Sequence, residues 1–400
     1  MGAKRWGNRV VDPSATVERA RPHLGKAGVT RVADVTGLDR VGIPVVMVCR
    51  PNSRSVAVSA GKGMCKEAAL ASGMMEGLEC FHAESIGSPV YFGSASELAR
   101  DAPVTDWQKL PVYSGRTVDG AARIPWIRAT EIGSNCCSLL PLELVSADFT
   151  QPGLGGFGIF LQSTNGLASG NCHAEAVVHA ICELIERDAL SYWRRLGAQE
   201  RARTFVPPEQ VTEGDAAGLI ERFAAHDFEV AIWNITTELK IPAYHCVIRD
   251  KHGAEHHGSG TGCHPSVSTA LTRALTEAAQ VRLTYVSGAR DDIDRFDYAP
   301  EMRRRSFAEL SREIELGRAC GEAAFDAERG RTSDDIDDDL DWLKARLNSV
   351  LGFGIYVVDL SKEDIGIPVV KVVIPGLLGP ELYPGELVTP SDRTPFGAVS

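Results

Sequence analysis

HAICELIERDAL (179–190) carries His179, Glu183 and Glu186 at i, i+4 and i+7 among alanine, cysteine and aliphatic neighbours. At about 100° per residue these side chains fall on one narrow stripe of a helix. A pair of glutamates three apart, read alone, is a solvated face. The same ruler laid on KEAALASGMMEGLECFHAE (66–84) finds Ser72, Glu76 and Glu79, and on TRALTEAAQVRL (272–283) it finds Arg273, Glu277 and Gln280. Surface helices present a broad polar face. Three narrow polar seams flanked by small residues instead predict helices buried on several sides.

Buried carboxylates must be paired or metal-bound, because an isolated one costs several kcal/mol. Five glutamates from three distant segments outnumber the arginines at hand, Arg187, Arg273 and Arg282. Structural salt links are one solution. The other is a hard divalent cation such as Mg2+, which takes oxygen ligands while keeping waters and substrate phosphates. The seams therefore point to a magnesium–nucleotide site built from helix faces.

The chain has 400 residues, 44% hydrophobic and 24% charged, ordinary globular composition with material for a large core. A net charge of -11 argues against nucleic acid and anionic membrane as partners. The N-terminus MGAKRWGNRVVDPS lacks the apolar segment of a secretory signal. No apolar run approaches the ~20 residues that span a bilayer. The 10 cysteines form no CxxC pair, so buried free thiols in a reducing cytoplasm are expected. Cys263–His264 and His256–His257 lack a second pair at zinc-ligand spacing.

VGIPVVMVC (41–49) reads as a buried strand, and a near-copy, IGIPVVKVVIPG (365–376), lies near the other end. The pair suggests a chain that returns to the same sheet as one closed unit. Strand-like EVAIWNIT (229–236), AYHCVIRD (243–250) and GFGIYVVDL (352–360) alternate with helices expected over 64–84, 172–195, 265–285 and 335–350. This pattern predicts an α/β or mixed α+β chain with a central sheet. The last helix opens TSDDIDDDLDWL, where Ser333 or Asp334 caps and the acidic run (334–341) complements the helix dipole. Residues 1–29 read as an N-terminal extension, 30–376 as one catalytic domain, and 377–400, with Pro380, Pro384, Pro390 and Pro395, as an irregular tail.

Conventional nucleotide motifs are absent. GKG (61–63) lacks the flanking residues of a P-loop. Gly153, Gly155 and Gly158 match GxGxxG but have no preceding strand or following helix. GSGTG (258–262) reads as a turn before a helix that brings backbone amides near a phosphate.

The seams resemble the nucleotide site of the YcaO family, ATP-dependent enzymes that modify peptide backbone amides. SGMMEGLE (72–79) is similar to the family's SxxxExxE element, ELIER (183–187) to ExxER and TEAAQ (276–280) to ExxQ. SGNCHAEA (169–176) and GTGCHP (260–265) precede the second and third helices in the family's order. The resemblance covers residues 30–375. It implies that Glu76, Glu79, Glu183, Glu186 and Glu277 surround Mg2+ and the phosphates of ATP. It implies nucleotide or metal-shell contacts for Ser72, Asn171, Arg187 and Gln280. It also implies that the amide oxygen is transferred to the γ-phosphoryl group, so no covalent nucleophile on the enzyme is needed.

Residues 36–63 and 275–292 look most like the family members that work with a TfuA-type partner, which are associated with thioamide formation. Azoline-forming members tend to end in a PxPxP tail, whereas this chain ends DRTPFGAVS. The resemblance thus implies a thioamide-forming enzyme acting on a peptide or protein. It also implies a separate TfuA-like or leader-binding partner and a homodimer. Azoline or macroamidine formation by the same chemistry, and a non-catalytic scaffold, are the competing expectations.

Overall fold

The protein is described from a computed structural model that covers residues 8–113, 116, 119–150, 158–252, 256–290, 293, 295–327, 330–352, 354–377, 379 and 387–388. Its strands, in chain order, are β1 (Arg31–Asp34), β2 (Val45–Cys49), β3 (Val58–Lys62), β4 (Val90–Gly93), β5 (Val112–Tyr113), β6 (Ile124–Glu131), β7 (Cys136–Pro141), β8 (Leu167–Ser169), β9 (Phe205–Val206), β10 (Phe228–Asn234), β11 (Ala243–Asp250), β12 (Gly258–Cys263), β13 (Tyr356–Asp359), β14 (Val369–Val373) and β15 (Leu387–Val388). The helices are α1 (Pro13–Ala20), α2 (Lys66–Glu84), α3 (Ala95–Leu98), α4 (His173–Arg195), α5 (Ala198–Arg203), α6 (Gly214–Ala225), α7 (Val267–Ser287), α8 (Pro300–Cys320) and α9 (Ile336–Leu351).

The fold mixes helices with antiparallel sheets. In place of one central sheet, the described strands divide into a β1-β2-β3 sheet, a β12-β11-β10-β9 sheet, a larger sheet ordered β4-β6-β13-β14-β8 with β7 on β6, and a β15-β5 pair. The four expected helices are α2, α4, α7 and α9, each within two residues at either end. The two near-copies do not share a sheet. VGIPVVMVC supplies β2, the middle strand between β1 and β3, and IGIPVVKVVIPG supplies β14, between β13 and β8. Both are interior strands with nearly every residue buried, and that common environment selects the same β-branched run.

GSGTG is a strand, not a turn. Gly258, Gly260 and Gly262 face α7, and a Cβ on them would lie 2.0, 2.2 and 2.1 Å from the carbonyl oxygens of Ala278, Ala274 and Ala270. Glycine is a poor strand former, but its bare backbone lets a helix lie directly on the sheet. Gly61 plays the same part on β3, where a Cβ would meet Gly73 N at 2.1 Å and Ala69 O at 2.2 Å.

The acidic helix α9 is capped by Asp335, one residue beyond the expected positions, whose side chain accepts from Asp337 N. Ser333 instead accepts from Asp335 N and donates to Asp338. Within the expected N-terminal extension, Val17, Ala20, Leu24 and Ala27 belong to the same core as Met74 and Leu78 of α2. Of the expected tail, Leu387 and Val388 pair with Tyr113 and Val112. Its four prolines, with Gly153 and Gly155, lie outside the described residues. All ten cysteines are free thiols; Cys80, Cys182, Cys246 and Cys263 are buried, while Cys136 and Cys137 are exposed. Among the described residues no helix is long and apolar enough to cross a membrane.

Candidate active site

Helix α4 is packed on almost its whole circumference. From Glu175 to Trp193 every residue is buried except His179, Glu183 and Arg187, which are half-buried at i, i+4 and i+8. On α2 the only half-buried positions between Ala71 and Cys80 are Ser72, Glu76 and Glu79. On α7 Glu277 is the one half-buried residue between Ala274 and Ala279, with Arg273 and Gln280 at either side. The helices are therefore buried where they are apolar and open along the polar seams.

The seams converge. The guanidinium of Arg187 loses solvation by burial, yet Glu186, Glu277, Glu183 and Glu76 hold it charged well above its ordinary range, so it senses carboxylates from all three helices. Burial, reinforced by Glu79, pushes Glu76 up to about 8 against the opposing pull of Lys62 and Arg290. Burial also raises Glu183 to about 7, despite Arg187 beside it. Among the described residues neither Glu76 nor Glu183 makes a hydrogen bond or ion pair.

The other predicted residues are anchored. Glu277 pairs with Lys62 at 2.7 Å; burial works against its charge, but Lys62 and Arg187 outweigh it and lower the pKa. Glu79 Oε1 accepts from Ser169 N at 2.8 Å and Ser169 Oγ at 2.6 Å, and burial still leaves its pKa raised. Glu186, 4% exposed, turns away from the seam. Its two oxygens accept from Thr261 Oγ1 at 2.8 Å and Cys263 N at 3.1 Å. Gln280 Nε2 donates to Ala60 O at 2.8 Å. Asn171 sits at the start of α4, where it accepts from Thr16 Oγ1 and donates to Glu175, which also holds Arg9 at 2.9 Å.

Four further residues lie in or beside the site. Lys62, which pairs with Glu277, lies in GKG (61–63), a stretch that lacks the flanking residues of a P-loop. Ser169 and Thr261 act from strands. Lys371 is 2% exposed and donates to Ser163 O at 2.5 Å. Burial lowers Lys371 to about 8, against the opposing charge of Glu183. A lone lysine in the apolar run VVKVV was the available signal.

The donor set suits magnesium and phosphate. Among the described residues Glu76 and Glu183 offer hard oxygens outside any ion pair, while Lys62 and Arg187 place positive charge near them. His179 Nδ1 and Gln280 Oε1 are buried without a hydrogen-bond partner, and such atoms ordinarily have one. Among the described residues no three His, Cys, Asp or Glu side chains converge closely enough to hold a metal unaided. Magnesium needs only one or two carboxylates when waters and phosphates complete its shell. Among the described residues neither Cys263–His264 nor His256–His257 joins a metal-binding cluster; His264 Nδ1 accepts from Ser266 N and His256 stacks on Tyr285.

These are the features of a nucleotide-dependent enzyme of mixed helix and antiparallel-sheet fold. Residues 60–378 match the family model described as YcaO cyclodehydratase, ATP- and Mg2+-binding, and the chain belongs to that family. It is 31% identical, over 94% of its length and 90% of the relative's, to an uncharacterized protein in the tfuA 3' region of Rhizobium leguminosarum bv. trifolii. It is 32% identical over 92% of its length to 94% of an uncharacterized protein of Methanothermobacter thermautotrophicus. Among solved structures it is similar to YcaO from Methanopyrus kandleri bound with AMPPCP and Mg2+, with TM-score 0.72 at 22% identity over 94% of this chain and 95% of that one. A heterocyclase in complex with substrate and cofactor superposes with TM-score 0.77 at 23% identity, over 94% of this chain. The chain spans about half, 54%, of that heterocyclase.

Proposed function

We propose that the protein activates a peptide backbone amide with Mg·ATP and converts it to a thioamide, together with a TfuA-like partner in the cytoplasm. The single observation that carries the thioamide reading is the full-length similarity to the protein of the tfuA 3' region. In this reading residues 30–376 form the catalytic domain of a homodimer. Glu76, Glu79, Glu183 and Glu277 serve the metal, and Ser72, Asn171, Arg187 and Gln280 the nucleotide; Glu186, expected among the metal residues, has both oxygens held by Thr261 and Cys263 and supports the site from behind. Bound magnesium supplies neutralisation of charge on the phosphates. The chain's own work is positional. Arg187 and Lys62 place positive charge beside the carboxylates, and the packed helices exclude bulk water.

The step balances without a covalent enzyme intermediate. Sulfide adds to the amide carbonyl carbon, the carbonyl oxygen takes the γ-phosphoryl group, and phosphate leaves with that oxygen. The products are thioamide, ADP and phosphate. Ring closure by a Cys, Ser or Thr side chain or an amine uses the same oxygen transfer without external sulfide. A scaffold that has lost turnover makes no ADP.

The test is ADP formation and peptide mass with a TfuA-like partner, with and without sulfide. The expected result is magnesium-dependent ADP release and a gain of about 16 Da, one oxygen replaced by sulfur, only when sulfide is present. A loss of 18 Da without sulfide would move the reading to azoline formation.

A further inference from the structure

We infer that the site is enclosed by three copies of one strand–strand–helix module, closed into a ring by three polar clasps in which Ser169, Thr261 and Gln280 are positioning residues. The signature begins with a residue at positive φ followed by Ile-Pro and a strand. Gly42 (φ 71) precedes Ile43-Pro44 and β2, Lys240 (φ 53) precedes Ile241-Pro242 and β11, and Gly366 (φ 68) precedes Ile367-Pro368 and β14. All three isoleucines are buried. A lysine in the left-handed region is uncommon; its place here is that of the two glycines.

Each of these strands pairs antiparallel with the strand that feeds a seam helix: β2 with β3, β11 with β12 and β14 with β8. Two residues before each helix cap, a backbone N–H returns to the module's proline carbonyl. Gly63 N donates to Pro44 O at 3.3 Å, His264 N to Pro242 O at 3.1 Å and Gly170 N to Pro368 O at 3.1 Å. The caps are Cys65, Ser266 and Cys172. Counted from its own cap, every helix then carries its seam at the same places. The seventh residue is Ser72, Arg273 or His179, and the eleventh is Glu76, Glu277 or Glu183. The fourteenth is Glu79, Gln280 or Glu186.

The fourteenth residues close the ring. Glu79 on α2 holds Ser169 of β8, which feeds α4. Glu186 on α4 holds Thr261 and Cys263 of β12, which feeds α7. Gln280 on α7 holds Ala60 of β3, which feeds α2. Each module thus grips the feeding strand of the next, and the third returns to the first. The eleventh residues, all glutamates, stay half-buried on the open stripes, with Glu277 paired to Lys62. Two modules are continuous in the chain, whereas the α4 module takes β14 from the distant C-terminal region. The likeness between 41–49 and 365–376 therefore marks equivalent places in two modules.

The effect on nucleotide binding rests on the Mg·ATP reading above; the ring does not. The variants are Ser169→Ala, Thr261→Val and Gln280→Glu, whose carboxylate cannot donate to the Ala60 carbonyl. Hydrogen exchange without metal or nucleotide is expected to show loosening in both modules joined by the altered clasp. Mg·ATP affinity is expected to fall about tenfold for each. The triple variant is expected to lose far less than the product of the three, because one opening already frees the ring. Thr261→Ser, which keeps the hydroxyl, is expected to restore native behaviour. Exchange changes confined to the altered strand would overturn the ring. Tighter magnesium binding by Gln280→Glu would overturn the clasp assigned to Gln280. A native chain that binds no Mg·ATP would sink the functional reading instead, and exchange alone would then decide the ring.

Discussion

Replacing Glu76 or Glu183 by Gln is expected to stabilise the metal-free protein at pH 8.5 and to weaken Mg·ATP binding by about 100-fold, the upper end for changes around a metal. The two effects share one cause. A carboxylate held without a cation is costly when ionised, and burial raises Glu76 to about 8 and Glu183 to about 7. Between the ordinary carboxylate range and these values the folded chain holds protons that the unfolded chain has lost. Stability of the metal-free protein therefore falls as pH rises through this window, and Gln at either position flattens the fall. A thermal unfolding series from pH 5 to pH 9 reads this directly. Loss of stability in Glu76→Gln at pH 8.5 would show the carboxylate to be structurally paired.

The second large effect lies away from the charges. Gly260→Ala is expected to cost about 3 kcal/mol or more, a large share of the 5–15 kcal/mol that holds a typical domain. Its Cβ would sit 2.2 Å from Ala274 O and 2.8 Å from the Cβ of Glu277, so α7 must lift from β12 and carry Glu277 with it. Denaturant unfolding measures the loss. A variant within 0.5 kcal/mol of the native chain, the size of an ordinary surface substitution, would contradict the close packing of α7 on β12.

The sequence makes the seams legible because a period of 3.6 survives in any helix and small residues betray close packing. Glu76, Glu183 and Glu277 could be set on three helices from residue order alone. The partners of those helices could not. Lys62 meets Glu277 across 215 residues, and Gln280 meets Ala60 across 220; nothing local records such pairings. β12 was hidden because its glycines answer to the helix above them and not to strand propensity. The charged helix α8 buries only Leu310, Ile314 and Gly317, too thin a stripe to stand out against its arginines and glutamates. Glu186 shows the limit from the other side: its spacing puts it with the seam residues, while its hydrogen bonds tie it to the neighbouring strand.

In the proposed function, carboxylates from separate helices serve one Mg·ATP site. The most direct measurement is calorimetric titration of Mg·ATP into the native chain and into Glu277→Gln, each repeated with EDTA. Magnesium-dependent binding by the native chain, lost in Glu277→Gln, is the expected result. Binding that survives in Glu277→Gln with undiminished affinity would mean that the α7 seam is structural and the three helices do not share a nucleotide.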